Sequence, residues 1–222
     1  MTKDLYCAIE NYMQNTMADS AHDKEHVYRV LHNALAIAKA EDSVDHDILI
    51  TACLLHDIGR PEQFADPTLC HAVVGAQKAQ KFLEGLGLDA SFIQAVCHCI
   101  RTHRFSNRMP PETLEAKILF DADKLDVTGA LGIARTLQFQ GKHDYPLYTR
   151  LPDGSISTDP LGKEKSFFQE YHRKLTKLYD GFLTSEGKRL AQSQQEDAKR
   201  FYDALWAQVA KEDSDLSLWV KS

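Results

Sequence analysis

The sequence predicts an all-α fold. Apolar residues recur at three- and four-residue steps through most of the 222 residues, as in amphipathic helices. No segment shows the sustained alternation of apolar and polar residues that is typical of a half-buried strand. Hydrophobic residues make up 43% and charged residues 26% of the chain, which are ordinary values for a globular protein with one full core. We therefore expect a compact multi-helix bundle.

The predicted helices follow one another along the chain, and most have a recognisable beginning or end. The helical stretches are residues 26–40, 45–59, 71–87, 89–103, 111–139, 163–183 and 185–210. Acidic residues suit the first turn of the second stretch, which ends at the Gly-Arg-Pro sequence of residues 59–61. Gly87 can close the third stretch in a left-handed conformation, and prolines 110 and 111 mark the start of the fifth. Ser185 is well placed to begin the last one.

We interpret the chain as a single domain in three parts. The core covers about residues 20–140, and a C-terminal helical extension covers about residues 161–212. Between them, residues 141–160 form the only long irregular segment, with three prolines and two glycines. Loops of this length in a compact domain often act as a lid or as one wall of a cleft.

Charge and apolar length restrict the classes of partner. The formal net charge is −6 and no dense run of Lys and Arg occurs, so no dedicated nucleic-acid surface is expected. The apolar window at residues 48–55 is too short to cross a bilayer, and the N-terminus lacks a signal-peptide pattern. Five cysteines indicate reduced thiols rather than a disulfide framework. We expect a cytoplasmic protein that does not contact membranes, and its oligomeric state stays open.

Residues 22–26, HDKEH, raise the first chemical question. The pattern H-x-x-E-H is that of a zinc peptidase helix, with His22 and His26 as ligands and Glu25 activating water. That motif needs a continuous helix, but Asp23 and its neighbours are typical caps at a helix start. Only His26 would then project from the helix, in line with Val30. The peptidase interpretation remains open without an evident third ligand.

Two other places in the chain combine polar ligands with a helix interior. His56 continues an apolar stripe and is followed by Asp57, so one turn offers a nitrogen and an oxygen ligand. Asp123 is one of three aspartates in the sequence DADKLD, on a helix with an apolar face. Buried carboxylates are costly unless they are compensated, and a cation is the simplest compensation for the one that faces inward. A satisfied core histidine and a metal ligand both remain open for His56.

Taken in order, the residues H…HD…D resemble the HD-domain superfamily of metal-dependent phosphohydrolases. The segments HDKEHVYRV, ACLLHDIGR, HAVVGAQKA and EAKILFDADKLDVTGALGIAR are similar to those of small stand-alone bacterial members, and the likeness covers nearly the whole chain. The resemblance implies a helical bundle around one divalent metal held by His26, His56, Asp57 and Asp123. Such a nitrogen and oxygen set suits Mn, Mg, Fe, Co, Ni or Zn. Asp57 is also expected to be catalytic, by bridging the metal and the attacking water.

Further residues are expected near the substrate. Some relatives hold two metals and use additional histidines, for which His71 and His103 are the candidates here, although an exposed position at a helix start is an equal alternative for His71. Arg60 stands where signalling relatives have Lys and nucleoside phosphatases have an acid, and a guanidinium suits phosphate. Lys124 is either a phosphate contact or a solvated helix cation. The residues expected to bind substrate are Arg60, His71, His103, Lys124, His22 and Asp23.

The resemblance implies hydrolysis of a small phosphorylated metabolite, with a nucleotide as the leading candidate. Some similar bacterial proteins remove pyrophosphate from nucleoside triphosphates, which is the leading specific reaction. Phosphomonoesterase or phosphodiesterase activity of the same fold is the alternative within the enzyme class. The alternative from another class is a sensor module that binds metal and nucleotide without catalysing a reaction.

Overall fold

The structure is a computed structural model that describes residues 1–17, 24–104, 109–163 and 165–210. Within these ranges the regular structure is helical, and no β-strand occurs apart from an isolated bridge between Arg150 and Ile156. The elements are α1 (Lys3–Thr16), α2 (Lys24–Ala38), α3 (His46–Leu55), α4 (Arg60–Ala65), α5 (His71–Gly85), α6 (Ala90–Thr102), α7 (Leu114–Leu125), α8 (Gly129–Lys142), α9 (Phe167–Arg173), a 3₁₀ helix (Leu175–Gly181) and α10 (Ser185–Val209). The all-α prediction is confirmed.

The chain divides into two compact units. The first comprises Met1–Asp126 and Phe182–Leu190, and the second comprises Val127–Gly181 and the described chain from Ala191 onward. In the second unit, aromatic side chains of α9 form the centre of the core, and Ile133, Leu175 and Ala198 pack around them. Our single-domain interpretation stays a prediction.

Helix α3 lies at the centre of the first unit. It packs against α1, α2, α5, α6 and α7, and Leu49, Leu54 and Leu55 are fully buried. Burying a leucine side chain stabilises a fold by about 1.5–3 kcal/mol relative to leaving it exposed. Asp45 begins this helix, since its side chain accepts hydrogen bonds from the N–H groups of Asp47 and Ile48. The helix that carries His56 and Asp57 at its end is therefore firmly held.

The chain makes a tight passage between α3 and α4 at Gly59. A Cβ atom at this position would lie 2.2 Å from the main-chain oxygen of His71 and 2.6 Å from the nitrogen of Gly75. Only glycine fits so close to the backbone of α5. The sequence predicted an ending at residues 59–61, but it did not predict that the six-residue helix α4 starts there with Pro61 in its first turn.

The prediction of one continuous helix at residues 111–139 is wrong. The structure has two helices, since α7 ends at Leu125 and α8 begins at Gly129, which has a φ of +60°. That left-handed conformation is readily adopted by glycine and interrupts an α-helix. Gly132 then allows close packing, since a Cβ atom there would lie 2.1 Å from the oxygen of Val127.

The prediction of one helix at residues 163–183 is also wrong. Helix α9 begins with a capping box between Ser166 and Gln169 and ends at Arg173, because the next residue, Lys174, has a φ of −126°, which is not helical. The chain continues as the 3₁₀ helix, a geometry used for short connecting segments. Two other predictions are confirmed: Gly87 closes α5 with a φ of +71°, and α10 begins at Ser185.

The five cysteines are all free thiols, as predicted. Among the described residues, no helix has the length and apolar character needed to pass through a lipid bilayer.

Candidate metal centre

Four imidazoles lie at the ends of four helices in the first unit. His26 is in the first turn of α2, His56 directly follows α3, His71 begins α5 and His103 directly follows α6. All four are at most 4% exposed, and Asp57 is 1% exposed. The alternative of an exposed His71 is therefore wrong. Such burial of polar rings needs a hydrogen-bond partner for each ring nitrogen.

The main chain orients two of these rings. Nδ1 of His56 donates to the carbonyl oxygen of Cys53 at 2.7 Å, and Nδ1 of His103 donates to that of Ile100 at 2.6 Å. A carbonyl oxygen only accepts, so the proton of each neutral ring is on Nδ1. Nε2 of each ring is left with an unprotonated lone pair.

Side chains orient the other two rings. Nδ1 of His26 lies 2.7 Å from Oδ2 of Asp126, and Nδ1 of His71 lies 2.8 Å from Oε1 of Gln63. Asp126 also accepts two hydrogen bonds from Arg29, at 2.6 and 3.2 Å, so its charge is compensated. Both acceptors again place the ring proton on Nδ1 and direct Nε2 toward the interior of the site.

The four Nε2 atoms meet in pairs around one carboxylate. Those of His26 and His56 are 3.4 Å apart, and those of His71 and His103 are 3.3 Å apart. Oδ2 of Asp57 lies 3.6 and 3.7 Å from the first pair, and Oδ1 lies 3.4 and 3.8 Å from the second. Two lone pairs at these distances repel unless a proton or a cation lies between them.

Asp57 also carries an unsatisfied buried atom. Its Oδ2 has no hydrogen-bond partner among the described residues, whereas Oδ1 accepts from Nε of Arg60 at 2.9 Å. Asp123 lies close by, with its Oδ1 3.2 Å from Nε2 of His26. A buried carboxylate oxygen that faces two imidazole lone pairs fits a divalent cation, for which nitrogen and oxygen ligands are the ordinary set.

The ligand atoms form two groups, each within 4.8 Å. One group contains His26, His56 and Asp123, and the other contains Asp57, His71 and His103. We call His26, His56, Asp123 and Oδ2 of Asp57 the first half-site, and His71, His103 and Oδ1 of Asp57 the second half-site. All four residues of the predicted metal set lie together in the first half-site. His71 and His103, predicted as substrate or second-metal groups, form the second with the same aspartate.

The electrostatics of the centre favour a bound cation. Burial by itself lowers the pKa of His26, but hydrogen bonds to the carboxylates of Asp123 and Asp126 outweigh it and raise the pKa to about 9. Without a cation this ring therefore carries a second proton on Nε2, in the position that a metal ion would take. Burial lowers the pKa of His56 to about 4 and, with the nearby Arg60, that of His71 to about 3. The pKa values of Asp57 and Asp123 fall well below the usual range, because the surrounding imidazoles outweigh burial. Both carboxylates are therefore ionised at neutral pH.

The three aspartates of DADKLD have three different surroundings. Asp121 accepts hydrogen bonds from the main-chain N–H groups of residues 183 and 184 and from the hydroxyl of Thr184. Asp126 is paired with His26 and Arg29. Only Asp123 faces the Nε2 atom of a ring, that of His26, so its charge alone is shared with the nitrogen atoms that could bind a metal. The sequence did not reveal this division.

The other predicted substrate residues have varied positions. Arg60 is held beside the centre by Asp57. Lys124 is 8% exposed, with Nζ 5.0 Å from the ring centroid of Phe182, so the alternative of a solvated cation is wrong and the phosphate contact stays a prediction. His22 and Asp23 lie outside the described residues.

Sequence reasoning missed the three residues that orient the rings, Arg29, Gln63 and Asp126. Arg29 follows His26 by three positions on α2, a helical neighbour that the spacing could have indicated. Gln63 follows Arg60 in the same way, but this signal depends on α4, which was not predicted. The peptidase pattern loses support, because Glu25 is exposed on α2 whereas its neighbour His26 is buried.

Comparisons with known proteins identify the kind of domain that carries this site. The sequence model of the HD domain matches residues 24–128. YpgQ of Bacillus subtilis, an uncharacterized protein, is 29% identical over 216 residues, which cover 94% of this chain and 96% of YpgQ. Its crystal structure in complex with ADP has a TM-score of 0.71 at 26% identity, with 93% and 98% of the two chains covered.

Two further proteins are similar to this chain. A structure from an uncultured Thermotogales bacterium, described as a predicted HD superfamily hydrolase, has a TM-score of 0.61 at 28% identity, with 93% and 92% of the two chains covered. The 3′-5′ exoribonuclease YhaM of Bacillus pumilus is 29% identical over 115 residues, 46% of this chain, and the chain spans only 37% of that enzyme. Residues 24–128 are thus an HD domain, and the chain shares the fold of an HD-superfamily hydrolase.

Proposed function

We propose that the protein is a divalent-metal-dependent phosphohydrolase that acts on a small phosphorylated substrate, with a nucleotide as the leading candidate. The observation that supports it most is the unpaired Oδ2 of Asp57, buried opposite the Nε2 atoms of His26 and His56. A divalent cation between this ionised carboxylate and the two ring nitrogens would replace the Nε2 proton of His26 and satisfy all three atoms.

In this proposal His26, His56, Asp57 and Asp123 hold the divalent metal. A bound divalent cation lowers the pKa of a coordinated water and polarises a phosphoryl oxygen. The ring orientations fixed through Nδ1 keep the ligands in place without rearrangement, which preserves the site between turnovers. The identity of the metal among Mn, Mg, Fe, Co, Ni and Zn is open, and the second half-site has room in its ligand set for a second ion.

Arg60 and Asp57 are the residues proposed to act on the substrate directly. The guanidinium of Arg60 is partly exposed and is anchored through Nε, so its remaining N–H groups can donate to phosphoryl oxygens and stabilise their charge. The ionised carboxylate of Asp57 can orient the attacking water by accepting its hydrogen bond. Lys124 and, at the second half-site, His71 and His103 complete the proposed substrate and second-metal groups.

A nucleotide is favoured because YpgQ, which is similar over nearly the whole chain, has been crystallised with ADP. Release of pyrophosphate from a nucleoside triphosphate is the leading reaction. A phosphodiesterase is the second candidate, because the matching part of YhaM belongs to an exoribonuclease. The net charge of −6 argues against a long nucleic acid as the substrate of this chain.

The test is a screen of nucleotides and phosphate esters with Mn²⁺ or Mg²⁺, scored separately for orthophosphate and pyrophosphate. We expect pyrophosphate from at least one nucleoside triphosphate. The variant Asp57→Asn should lose both bound metal and activity, whereas Asp153→Asn, on an exposed loop, should lose neither. Full metal content and activity in Asp57→Asn would contradict the proposal.

Two outcomes of the screen identify the alternatives. Nucleotide binding by calorimetry with no product from any substrate would indicate the sensor. Cleavage of a peptide that is abolished in Glu25→Gln would instead revive the peptidase interpretation.

A further inference from the structure

The two half-sites are supported from behind by similar chains of hydrogen bonds. Behind His26, the guanidinium of Arg29 donates to Asp126, and Oδ2 of Asp126 accepts from Nδ1 of the ring at 2.7 Å. Behind His71, NH1 of Arg60 lies 3.4 Å from Oε1 of Gln63, and the same Oε1 accepts from Nδ1 of the ring at 2.8 Å. In both sets of hydrogen bonds an arginine, one oxygen acceptor and a ring nitrogen follow in the same order.

The two sets of hydrogen bonds differ in the chemistry of the acceptor. Asp126 presents a carboxylate, whereas Gln63 presents a neutral carboxamide. A hydrogen bond from Nδ1–H to a carboxylate increases the electron density at Nε2 more than one to an amide does, and it strengthens the bond from Nε2 to a metal. His26 is therefore the better donor of the two imidazoles.

The carboxylate groups of the two half-sites also favour tighter cation binding at the first half-site. The first half-site offers two carboxylate groups, through Oδ2 of Asp57 and through Asp123. The second half-site has only Oδ1 of Asp57, and this oxygen already accepts a hydrogen bond from Arg60 at 2.9 Å. A guanidinium this close reduces the attraction of the second half-site for a cation.

We propose that the two half-sites bind divalent cations with unequal affinity, the first tightly and the second exchangeably, and that Asp126 and Gln63 set this order. The inference rests on the proposed function only as far as the centre binds divalent cations. It does not require turnover. The protein would then retain one cation and take up the other according to the cation concentration around it.

The experiment is a reciprocal exchange of the two acceptors. Gln63→Glu gives His71 the arginine–carboxylate support that His26 already has, and Asp126→Asn gives His26 the amide support of His71. Metal-free protein, prepared with a chelator and dialysed, is titrated with Mn²⁺ alone, and bound and free Mn²⁺ are measured by equilibrium dialysis. No substrate is present.

For the unaltered protein we expect two binding steps that differ by at least about tenfold in dissociation constant. Gln63→Glu should tighten the weak step by about tenfold, and Asp126→Asn should weaken the tight step by about 10–100-fold. His103→Gln should abolish only the weak step, which identifies it with the second half-site. Gln77→Glu, an exposed position on the same helix as His71, controls for the added charge and should change neither step.

A single step of one Mn²⁺, or two steps of equal affinity, would overturn the inference. So would a folded Gln63→Glu variant, checked by circular dichroism, whose weak step is unchanged. Gln63 is only half-buried, so this variant decides the question even where Asp126→Asn does not fold. Unequal steps in a protein without phosphohydrolase activity would uphold the inference and contradict the proposed function. Phosphohydrolase activity in a protein with equal steps, or with a single step, would uphold the proposed function and contradict the inference.

Discussion

The substitution Gly59→Ala tests whether the passage between α3 and α4 positions the metal centre. The added Cβ would lie 2.2 Å from the carbonyl oxygen of His71, about 1 Å closer than an ordinary contact between carbon and oxygen. The φ of −91° at Gly59 is accessible to alanine, so the whole penalty comes from this overlap. Because the obstructing atoms are backbone, α5 must shift, and overpacking of this kind costs about 1–3 kcal/mol.

The assay is urea denaturation, followed by a Mn²⁺ titration of the folded variant. We expect a loss of about 1–3 kcal/mol in the free energy of unfolding and weaker binding at the second half-site, since His71 moves with α5. Gly85→Ala is the matched control. A Cβ there has nothing within 4 Å, so alanine should be neutral or should stabilise α5 by up to about 1 kcal/mol. Equal stability and equal Mn²⁺ binding in Gly59→Ala and the unaltered protein would refute the reasoning.

Three further predictions concern stability. Asp121→Ala leaves the buried N–H and hydroxyl groups of Thr184 and the half-buried N–H of Leu183 without their acceptor, and it should cost about 2–4 kcal/mol in urea denaturation. A loss below about 1 kcal/mol would count against this. Burial raises the pKa of the Cys99 thiol to about 12 from 9.0, so the unfolded chain loses this proton first. The contribution of this thiol to the free energy of unfolding is fully present below pH 9 and decreases by about 1.4 kcal/mol per pH unit as the pH rises toward 12. Urea midpoints measured from pH 8 to 10.5 under reducing conditions should show a shallower decline in Cys99→Ala, and an unchanged decline would contradict the assignment. Mn²⁺ at a hundredfold excess over the dissociation constant of the first half-site should add at least about 2.7 kcal/mol to the free energy of unfolding, an effect that Asp57→Asn should abolish and that an unresponsive native protein would disprove.

Periodicity predicted where helices lie better than where they are interrupted. The apolar stripes were sufficient to locate α2, α3, α5 and α6, because apolar residues are buried at every turn of these helices. The break at Gly129 was missed, since a glycine within a helical pattern is usually tolerated and its conformation depends on tertiary packing. Helix α4 was missed because Gly59 and Pro61 resemble a simple ending, although the same residues allow a new helix to start.

The residues that form the candidate site could be predicted from the sequence, whereas the residues that orient them could not. His26, His56, Asp57 and Asp123 follow from the order H…HD…D, and the structure brings them together. The pairing of Gln63 with His71 could not be predicted, because it joins two helices through one hydrogen bond without a sequence pattern. The division of Asp57 between two pairs of imidazoles likewise depends on three-dimensional placement alone.

The positions of His56 and His103 directly after α3 and α6 have a further consequence. Each ring is held by the carbonyl three residues earlier, so the last turns of both helices face the centre. Asp123 comes from the last turn of a third helix, α7. The carbonyl end of a helix carries the equivalent of about half a negative charge. The ends of α3, α6 and α7 thus contribute a negative potential that no side-chain substitution removes, and the positive N-termini of α2 and α5, which carry His26 and His71, offset part of it.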